Sequence, residues 1–571
     1  MNSLTKRWEI LPPDFDLSSK LSKELSVSHI TAQILINRGI TNAEQAKNFL
    51  SPKLTTLSDP LELPQIKEAA KRLFEAKEKK EKVLVYGDYD VDGVTGTALL
   101  VSAFRFLGLD TDYYIPHRYE EGYGMNPDAI KEIAERGVKL IVTVDCGISN
   151  VEEIALAKKL GIDVIVTDHH NIPSELPAAV AMVNPKFLKE DHPTRYLAGV
   201  GVAFKFVWGV FKLAGIKDSA FLMDLLDLVG LGTISDIVPL TQENRVFAVH
   251  GLSALNKKKR IGLKYLMEVA GVKNKVSVHA VNFQISPRLN AAGRIKHAEL
   301  ALKLLLTTNA NEAKELADKL NTTNLDRRGI GSSIQEEVFD RLTRDIKPEE
   351  KIIVLEGKDW HPGVIGIVAS QATERYYRPV VIISVQDGVG RGSARSIEGV
   401  NVFQILDSCR DMFVDFGGHA GAAGFEIETK KIPELKQKLI EAAGKLVKDS
   451  DLAAKIKIEA EIIPKIINLA MVRELESLDP HGEDNPKPIF ISRNLKAQDW
   501  GRVGANKKHL KGRFSDGSAT LDVIGFGMGD AASYINFDEE FDLAYNLQSN
   551  EWNGFDNVQL NLVDIRVAKS D

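Results

Sequence analysis

From residue 82 the chain alternates short apolar, β-branched runs with segments of helical period. Four runs read as strands: KVLVYGD (82–88), DYYIPH (112–117), KLIVTVD (139–145) and DVIVTD (163–168). Between them TALLVSAFRFLG (97–108) and PDAIKEIAERG (127–137) read as helices. Near-continuous apolar strands separated by helices belong to a parallel sheet covered on both faces, which predicts an α/β domain over 61–265. Ahead of it, residues 1–60 mix Pro, Ser and amphipathic runs such as AEQAKNFL, and predict a small helical lead-in. Residues 266–349 read as a linker, helical and charged from 298, with Leu316 and Leu320 on one face of a long interdomain helix. A second α/β unit is expected over 350–446, from KIIVLEG through a helix at GVIGIVASQATERY to VVIIS. From 453 to 571 short strands with turns, among them SATLDVIGFG and NVQLNLVDIRV, suit a small β-barrel of the OB type. The expected fold class is therefore multidomain α/β, with a parallel-sheet domain, a long connecting helix, a second α/β domain and a C-terminal barrel.

Composition narrows the setting. The 571 residues are too many for one core. With 44% apolar and 27% charged residues, the class is soluble globular. A net charge of −6 offers no global basicity, so a nucleic-acid partner would need a local basic patch. Cys146 and Cys409 stand far apart, which argues against a disulfide framework or a structural zinc and fits a reducing cytoplasm. The start MNSLTKRWEILPP lacks the apolar stretch of a signal peptide, and no run reaches the length of a membrane span. A cytoplasmic protein with no membrane partner is expected.

The polar residues that carry chemistry stand just beyond the carboxyl ends of the predicted strands, where open parallel sheets bind ligands. The first strand runs into GDYDVDG, with Asp88, Asp90 and Asp92. The third ends at Asp145, the fourth in Asp168-His169-His170, and GTISDIVPL adds Asp236. Carboxylates converging in one crevice repel and resist ionising, a conflict that divalent cations relieve. Carboxylates with one or two imidazoles and no thiolate favour Mg²⁺ or Mn²⁺. Two such ions, about 3.5–4 Å apart, activate a water and steady the leaving oxygen of a phosphoryl transfer. Asp145 is the candidate for the carboxylate between them. Gly93 and Gly147 are expected to allow tight turns right after the ligands. Taken singly, a DxD is a turn or cap, a His-His pair is ordinary surface or core, and Asp236 is a cap. Their joint placement at strand ends is what points to a site.

GDYDVDG, VDCGIS and TDHH closely resemble the DHH phosphoesterase superfamily, named for the triplet found here as Asp168-His169-His170. SDIVPL, PRLNAAGRI, WHPGVIGIVAS, GSARS and GGHAGAAG narrow the resemblance to its bacterial single-strand-specific exonucleases. LDPHGEDNPKPIF resembles the stretch leading into their OB domain, with PHGEDNPKP where the family often shows PFGxGNPxP. The resemblance implies a DHH domain, a long helix, a DHHA1 domain and an OB fold around a central hole, through which a DNA strand threads and is cut from its 5′ end, in DNA repair and recombination. By motif match it implies Asp90, Asp92, Asp145, His169 and Asp236 as metal ligands for two Mn²⁺ or Mg²⁺ ions. His170 would stand behind them or touch the scissile phosphate, and Asp88 and Asp168 would be supporting or alternate ligands. It makes Ser393 and Arg395 candidates for the 5′-terminal phosphate. Single-stranded DNA is the expected partner, a single-strand-binding protein and a helicase are candidate protein partners, and the chain is expected to be a monomer. Two other readings share features: a shorter DHH enzyme acting on oligoribonucleotides or cyclic dinucleotides, and a non-catalytic single-strand-binding scaffold. The barrel argues against the first and the complete acidic set against the second.

Further candidates have plainer alternatives. Arg118 follows the second strand on the same sheet edge, and Arg288 and Asn290 are placed in a loop, with Arg294 after a glycine. Such arginines hold phosphates in two-pronged fashion, unless they sit in surface salt bridges. At His361 begins a glycine-bearing helix start, where amides favour anions, or an ordinary cap. GGHAGAAG reads as a flexible loop whose His419 is a candidate nucleotide contact. KKHLKGRF (507–514) sets basic residues beside Phe514, as suits a single strand, or forms a solvated hairpin. Cys146 reads as a small packing residue.

Overall fold

The apolar runs pair as a five-stranded, wholly parallel sheet. In the computed structural model, which describes residues 6–347, 349–552 and 555–568, it is built from β1 (Lys82–Gly87), β2 (Thr111–Tyr114), β3 (Val138–Val144), β4 (Asp163–Thr167) and β5 (Ala181–Val183) in the order β2-β1-β3-β4-β5. The expected lead-in and barrel each have a few residues (1–5, 553–554 and 569–571) outside the described ones. Helices Pro127–Glu135 and Val151–Lys159 pack Ile130, Ile133 and Ile154 against Leu84, Ile141 and Val164 on one face. The other face is covered by α1 (Val91–Phe106) and α2 (Gly199–Leu213), with α3 (Leu226–Ser235) behind them. Strand order reverses between β1 and β3, so the carboxyl ends of these two strands flank the crevice where such sheets take ligands.

α1 starts at Val91, earlier than periodicity alone suggests, because the Asp90 carboxylate accepts the Gly93 amide and caps it. Gly93 is not a turn residue. It lies in the first helical turn, where a Cβ would stand 2.6 Å from the Asp88 carbonyl oxygen, so the glycine serves close approach. Gly147 does take a left-handed turn, at φ 111°. Cys146 is fully buried in the sheet's core, a packing residue as expected.

Lys205 on α2 is wholly buried and donates to both Glu243 carboxylate oxygens, on α4 (Gln242–Asn256), at 2.9 and 2.8 Å, and to Ser58 and Thr194. A buried pair so fully hydrogen-bonded fixes geometry more than it adds stability. Here it fixes the helix whose N-terminus reaches the acidic crevice.

Arg288 and Asn290 lie within α5 (Ser286–Ile295), and not in a loop as the sequence suggests, and Arg294 lies on the same helix. The Pro, Asn and Gly of PRLNAAGRI masked a helix continuous with a π-helical turn at Val281–Ile285. The long helix, α6 (Ala310–Asp345), spans 36 residues with Leu316 and Leu320 buried.

The second sheet contains β6 (Ile353–Lys358), β7 (Val380–Gln386), β8 (Val389–Arg395), β9 (Asp415–His419) and β10 (Ala422–Glu428) in the order β9-β10-β8-β7-β6. Only β6 and β7 pair in parallel; α7 (Pro362–Tyr376) packs on β7 and β8. GGHAGAAG is thus not a flexible loop. It forms the facing ends of β9 and β10, where glycines sit in extended pairs that a pattern of turn residues conceals.

The barrel is closed. β11 (Ala460–Glu461), β12 (Phe490–Val503), β13 (His509–Ser515), β14 (Thr520–Gly525), β15 (Glu540–Trp552) and β16 (Phe555–Val567) run in the order β11-β12-β13-β14-β16-β15, and β12 also pairs with β15. Phe514 is fully buried inside it, so it offers no ring to a bound base. Alternation along β13 turns Lys511 and Arg513 outward and Phe514 inward. The core of the barrel is shared: Ile34, Leu35, Ala46 and Phe49 of the lead-in helices His29–Asn37 and Ala43–Leu50 pack into the cluster that holds Phe490, Phe541 and Tyr545.

The segment leading into the barrel carries His481 where the family pattern often has Phe. Burial pushes its imidazole down to about 4, and its buried Nδ1 has no hydrogen-bond partner among the described residues. An unpaired buried nitrogen costs roughly 1–3 kcal/mol. His481→Phe is therefore expected to raise the thermal midpoint by a few degrees. The gain should widen as pH falls from 6.5 towards 4, because the unfolded chain takes up a proton that the buried ring refuses. A midpoint equal to wild type at both ends of that range would refute this.

The chain divides into two compact units. One comprises Trp8–Leu289, Glu299–Ala317 and Lys457–Asp571, and contains the parallel sheet and the barrel; the other comprises Asn290–Ala298 and Asp318–Ile456, with the residues up to Arg7, and contains the mixed sheet. Among the described residues no helix is long and apolar enough to cross a membrane.

Candidate metal centre

The acidic residues from four parts of the sequence meet at the carboxyl edge of the parallel sheet. β1 delivers Asp88 and, through the first turn of α1, Asp90 and Asp92. β3 delivers Asp145, whose left-handed φ of 62° turns the chain sharply at the strand end. β4 delivers Asp168, His169 and His170, and Asp236 is the C-cap of α3. The His169 Nε2 lies 3.1 Å from Asp145 Oδ1, 3.7 Å from Asp236 Oδ2 and 3.9 Å from Asp92 Oδ2.

The side chains have different tasks. Asp92 accepts the amides of Gly199 and Val200 at 2.6 and 2.9 Å, so it caps α2 from a distant part of the chain while facing the crevice. Asp168 is fully engaged: it accepts the amides of Ile148, His169 and His170, and meets His170 Nδ1 at 2.8 Å. It orients the His170 imidazole, anchors the main chain at His169 and has little left to offer an ion. Asp88 Oδ1, Asp145 Oδ1 and Asp236 Oδ2 are buried without a hydrogen-bond partner among the described residues.

That arrangement conflicts with itself in the absence of a cation. Burial, then the neighbouring Asp236 charge, pushes Asp92 up to about 7; burial, then Asp90, pushes Asp236 up to about 8. Asp88 and Asp145 are held well above the usual carboxylate range, first by burial and then by Asp90 and Asp92 respectively. Burial, helped by His170, lowers His169 and keeps it neutral, the form that binds metal. Burial opposes charge on His170 too, but the Asp168 hydrogen bond together with the charges of Asp168, Asp236 and Asp88 outweighs it and raises the ring to about 9. Two ligand sets emerge, Asp92–His169–Asp236 and Asp88–Asp90–Asp145, each with its donor atoms within 4.8 Å of one another, and Asp145 also groups with His169 and His170. Orphaned oxygens, raised carboxylates and an oxygen-rich donor set with one neutral imidazole fit two hard divalent ions.

Several contributors were not apparent from sequence. Tyr123, about half exposed, donates to the Asp145 carbonyl oxygen and meets His170 Nδ1, both at 3.0 Å. Its only signal is its place between Gly122 and Gly124, both with positive φ. Gly199 and Gly232 make room: a Cβ at Gly199 would stand 2.9 Å from Asp145 Cβ and 3.0 Å from Asp92 Oδ2, and one at Gly232 would stand 2.9 Å from Asp92 Oδ1.

Of the phosphate candidates, Arg118 stands with its guanidinium 4.8 Å over the Tyr89 ring, where its charge reaches Asp88. Arg288 lies on α5 and donates to the Gln284 carbonyl. The others gather in the second unit. His361 caps α7 by accepting the Gly363 amide, and Arg294 donates to the Gly363 carbonyl. Arg395 donates to the Ser393 hydroxyl at 3.1 Å, and a Cβ at Gly366 would meet both side chains at 2.9 Å. Arg395 pairs with Ala422, which pairs with His419, so Ser393, Arg395 and His419 share one face of the sheet. Asn290 lies on α5, in the second unit.

A parallel sheet with this acid–histidine cluster at its carboxyl edge defines the class, and three family models agree: the DHH family N-terminal domain over residues 82–233, the DHHA1 domain over 349–447 and the RecJ OB domain over 458–564. The single-stranded-DNA-specific exonuclease RecJ of Bacillus subtilis is 38% identical over 566 residues, 99% of this chain and 71% of that protein. The crystal structures of RecJ from Thermus thermophilus in complex with Mn²⁺ and with Mg²⁺ superpose with TM-scores of 0.86 and 0.80 at 31% and 30% identity, covering 99% of this chain and 80% and 79% of theirs. The chain belongs to the RecJ family.

Proposed function

We propose that the chain is a metal-dependent exonuclease specific for single-stranded DNA, hydrolysing phosphodiesters from the 5′ end. The observation that carries this is the set of buried, orphaned carboxylate oxygens around His169 at the carboxyl edge of the sheet. The named activity of the RecJ relatives and the Mn²⁺ and Mg²⁺ in their crystals support it. Two divalent ions would supply an activated water and counter-charge for the cleaved phosphodiester. In this reading Asp90, Asp92, Asp145, His169 and Asp236 hold them, Asp145 between the two, and Asp88 supports the set. Asp168 fixes both histidines. With Nδ1 turned to Asp168, His170 keeps its other nitrogen for the scissile phosphate. Arg118, Arg288 and Asn290 hold backbone phosphates. The barrel grips the strand away from the chemistry, and its domain type disfavours a small cyclic-dinucleotide substrate. A monomer working in the cytoplasm with a single-strand-binding protein and a helicase belongs to the same reading.

Polarity needs a sensor for the strand end. A terminal phosphate carries more charge than an internal diester, and Ser393, Arg395, His419 and the α7 start at His361 offer a hydroxyl, a guanidinium, an imidazole and helix-start amides. Digestion of 5′- and 3′-labelled single strands and duplexes, with and without Mn²⁺, tests the activity; release from the 3′ end or equal cutting of duplex overturns it. Arg395→Ala is expected to slow digestion of 5′-phosphorylated strands about tenfold or more, the loss of roughly 1.5–3 kcal/mol of charged hydrogen bonding, and to slow 5′-hydroxyl strands much less. Equal slowing of both substrates would remove Arg395 as the sensor.

A further inference from the structure

Asp236 is the one proposed ligand that no strand delivers. Its main chain ends α3, and the next residue, Ile237, is β-branched, 66% exposed and left-handed at φ 60°. A β-branched residue in that region is strained, and such strain persists only where neighbours impose it. The neighbours are visible at the other end of the loop. The Leu240 amide donates to the Glu483 carbonyl at 2.9 Å, and the Leu240 side chain, 2% exposed, lies so close to Gly482 that a Cβ there would stand 2.6 Å from its Cδ1. Asn244 donates to the Pro239 carbonyl at 3.1 Å.

The Gly482–Asn485 turn is itself rigidly held. Gly482 and Asn485 exchange backbone hydrogen bonds at 3.0 and 3.1 Å. Asn485, wholly buried, donates to the Leu478 and Pro480 carbonyls and accepts from Arg38. Arg245, 1% exposed, donates to the carbonyls of Ser477, Asp479, Pro480 and Phe49. Nothing in the chemistry assigned to the metal centre uses so elaborate a turn.

We propose that the Gly482–Asn485 turn, in the segment that leads into the barrel, is a positioning element for Asp236: its grip on Leu240 holds the loop in the strained course that brings the Asp236 carboxylate beside His169 and Asp92. Gly482 and Leu240 are then positioning residues for one of the two metal ions, acting through Asp236. This rests on the reading of Asp236 as a ligand.

The test is Mn²⁺ binding by the metal-stripped full-length chain, followed by electron paramagnetic resonance, for wild type, Gly482→Ala, Leu240→Ala and the double variant. Supporting-residue changes cost about 10–100-fold in metal affinity, so Gly482→Ala is expected to weaken one of two Mn²⁺ ions about tenfold or more. Leu240→Ala should weaken the same ion less, and the double variant should match Leu240→Ala alone, because the alanine at 482 then has nothing to displace. Single-stranded DNA affinity in EDTA should be unchanged throughout, which a general loss of structure would not allow. Two Mn²⁺ ions bound with wild-type affinity by Leu240→Ala and Gly482→Ala, or additive losses in the double variant, would overturn the proposal. Absence of Mn²⁺ binding by wild type would instead overturn the metal-site reading beneath it.

Discussion

Asp145→Ala is expected to lower the cleavage of single-stranded DNA by about a thousandfold or more, the effect of losing roughly 4 kcal/mol of metal-assisted stabilisation. Asp145 is the carboxylate nearest the His169 Nε2 and the one that belongs both with Asp88 and Asp90 and with the two histidines. Its removal should leave single-strand affinity nearly intact, since affinity comes mostly from phosphate contacts elsewhere. The same variant should be more heat-stable than wild type when both are metal-free. Asp145 is buried, charged only at a cost, and pressed by Asp92, Asp90, Asp236 and Asp88, so deleting it relieves repulsion. Single-turnover rates, filter binding in EDTA and melting curves separate the three effects. Near-normal turnover at saturating metal would sink the assignment of Asp145.

Chelation is the second large effect. EDTA is expected to abolish hydrolysis, and Mn²⁺ or Mg²⁺ to restore it, while Zn²⁺ substitutes poorly at oxygen-rich sites. Because ions relieve the crowding of Asp88, Asp92, Asp145 and Asp236, they should also stabilise the fold, by about 2.7 kcal/mol at a hundred times the dissociation constant. A melting midpoint indifferent to Mn²⁺, or activity in fully stripped protein, would count against a metal centre.

Much of the centre was legible because parallel sheets put function at one edge. Once GDYDVDG, VDCGIS and TDHH were read as strand ends, their acids had to converge. Asp236 was legible as a residue but not as a geometry, since a helix C-terminus far along the chain carries no such rule. The division of labour was hidden. That Asp168 spends its oxygens on backbone amides, or that Asp92 caps α2, depends on contacts between segments that sequence spacing does not relate. Arg288 and His419 were misplaced for one reason: glycine and small polar residues signal turns locally, yet tertiary packing recruited them into a helix and a strand pair. The inward turn of Phe514 beside the basic run at 507–514 was hidden because barrels encode inside and outside only through a period of two, which a basic run obscures.

The core shared by the lead-in helices and the barrel has a consequence for how the protein is made. Phe49 leaves the ribosome well before Phe490, Phe514, Phe541 and Tyr545, buried rings of the cluster it joins. About 440 residues separate the first pair, so at 5–20 residues per second the N-terminal helices wait roughly 20–90 s for their packing partner. During that interval their apolar faces are exposed on a nascent chain, open to chaperones and to aggregation. The barrel, synthesised later, closes the core begun by the lead-in helices, so a chain stalled within the barrel leaves those helices without their packing partner.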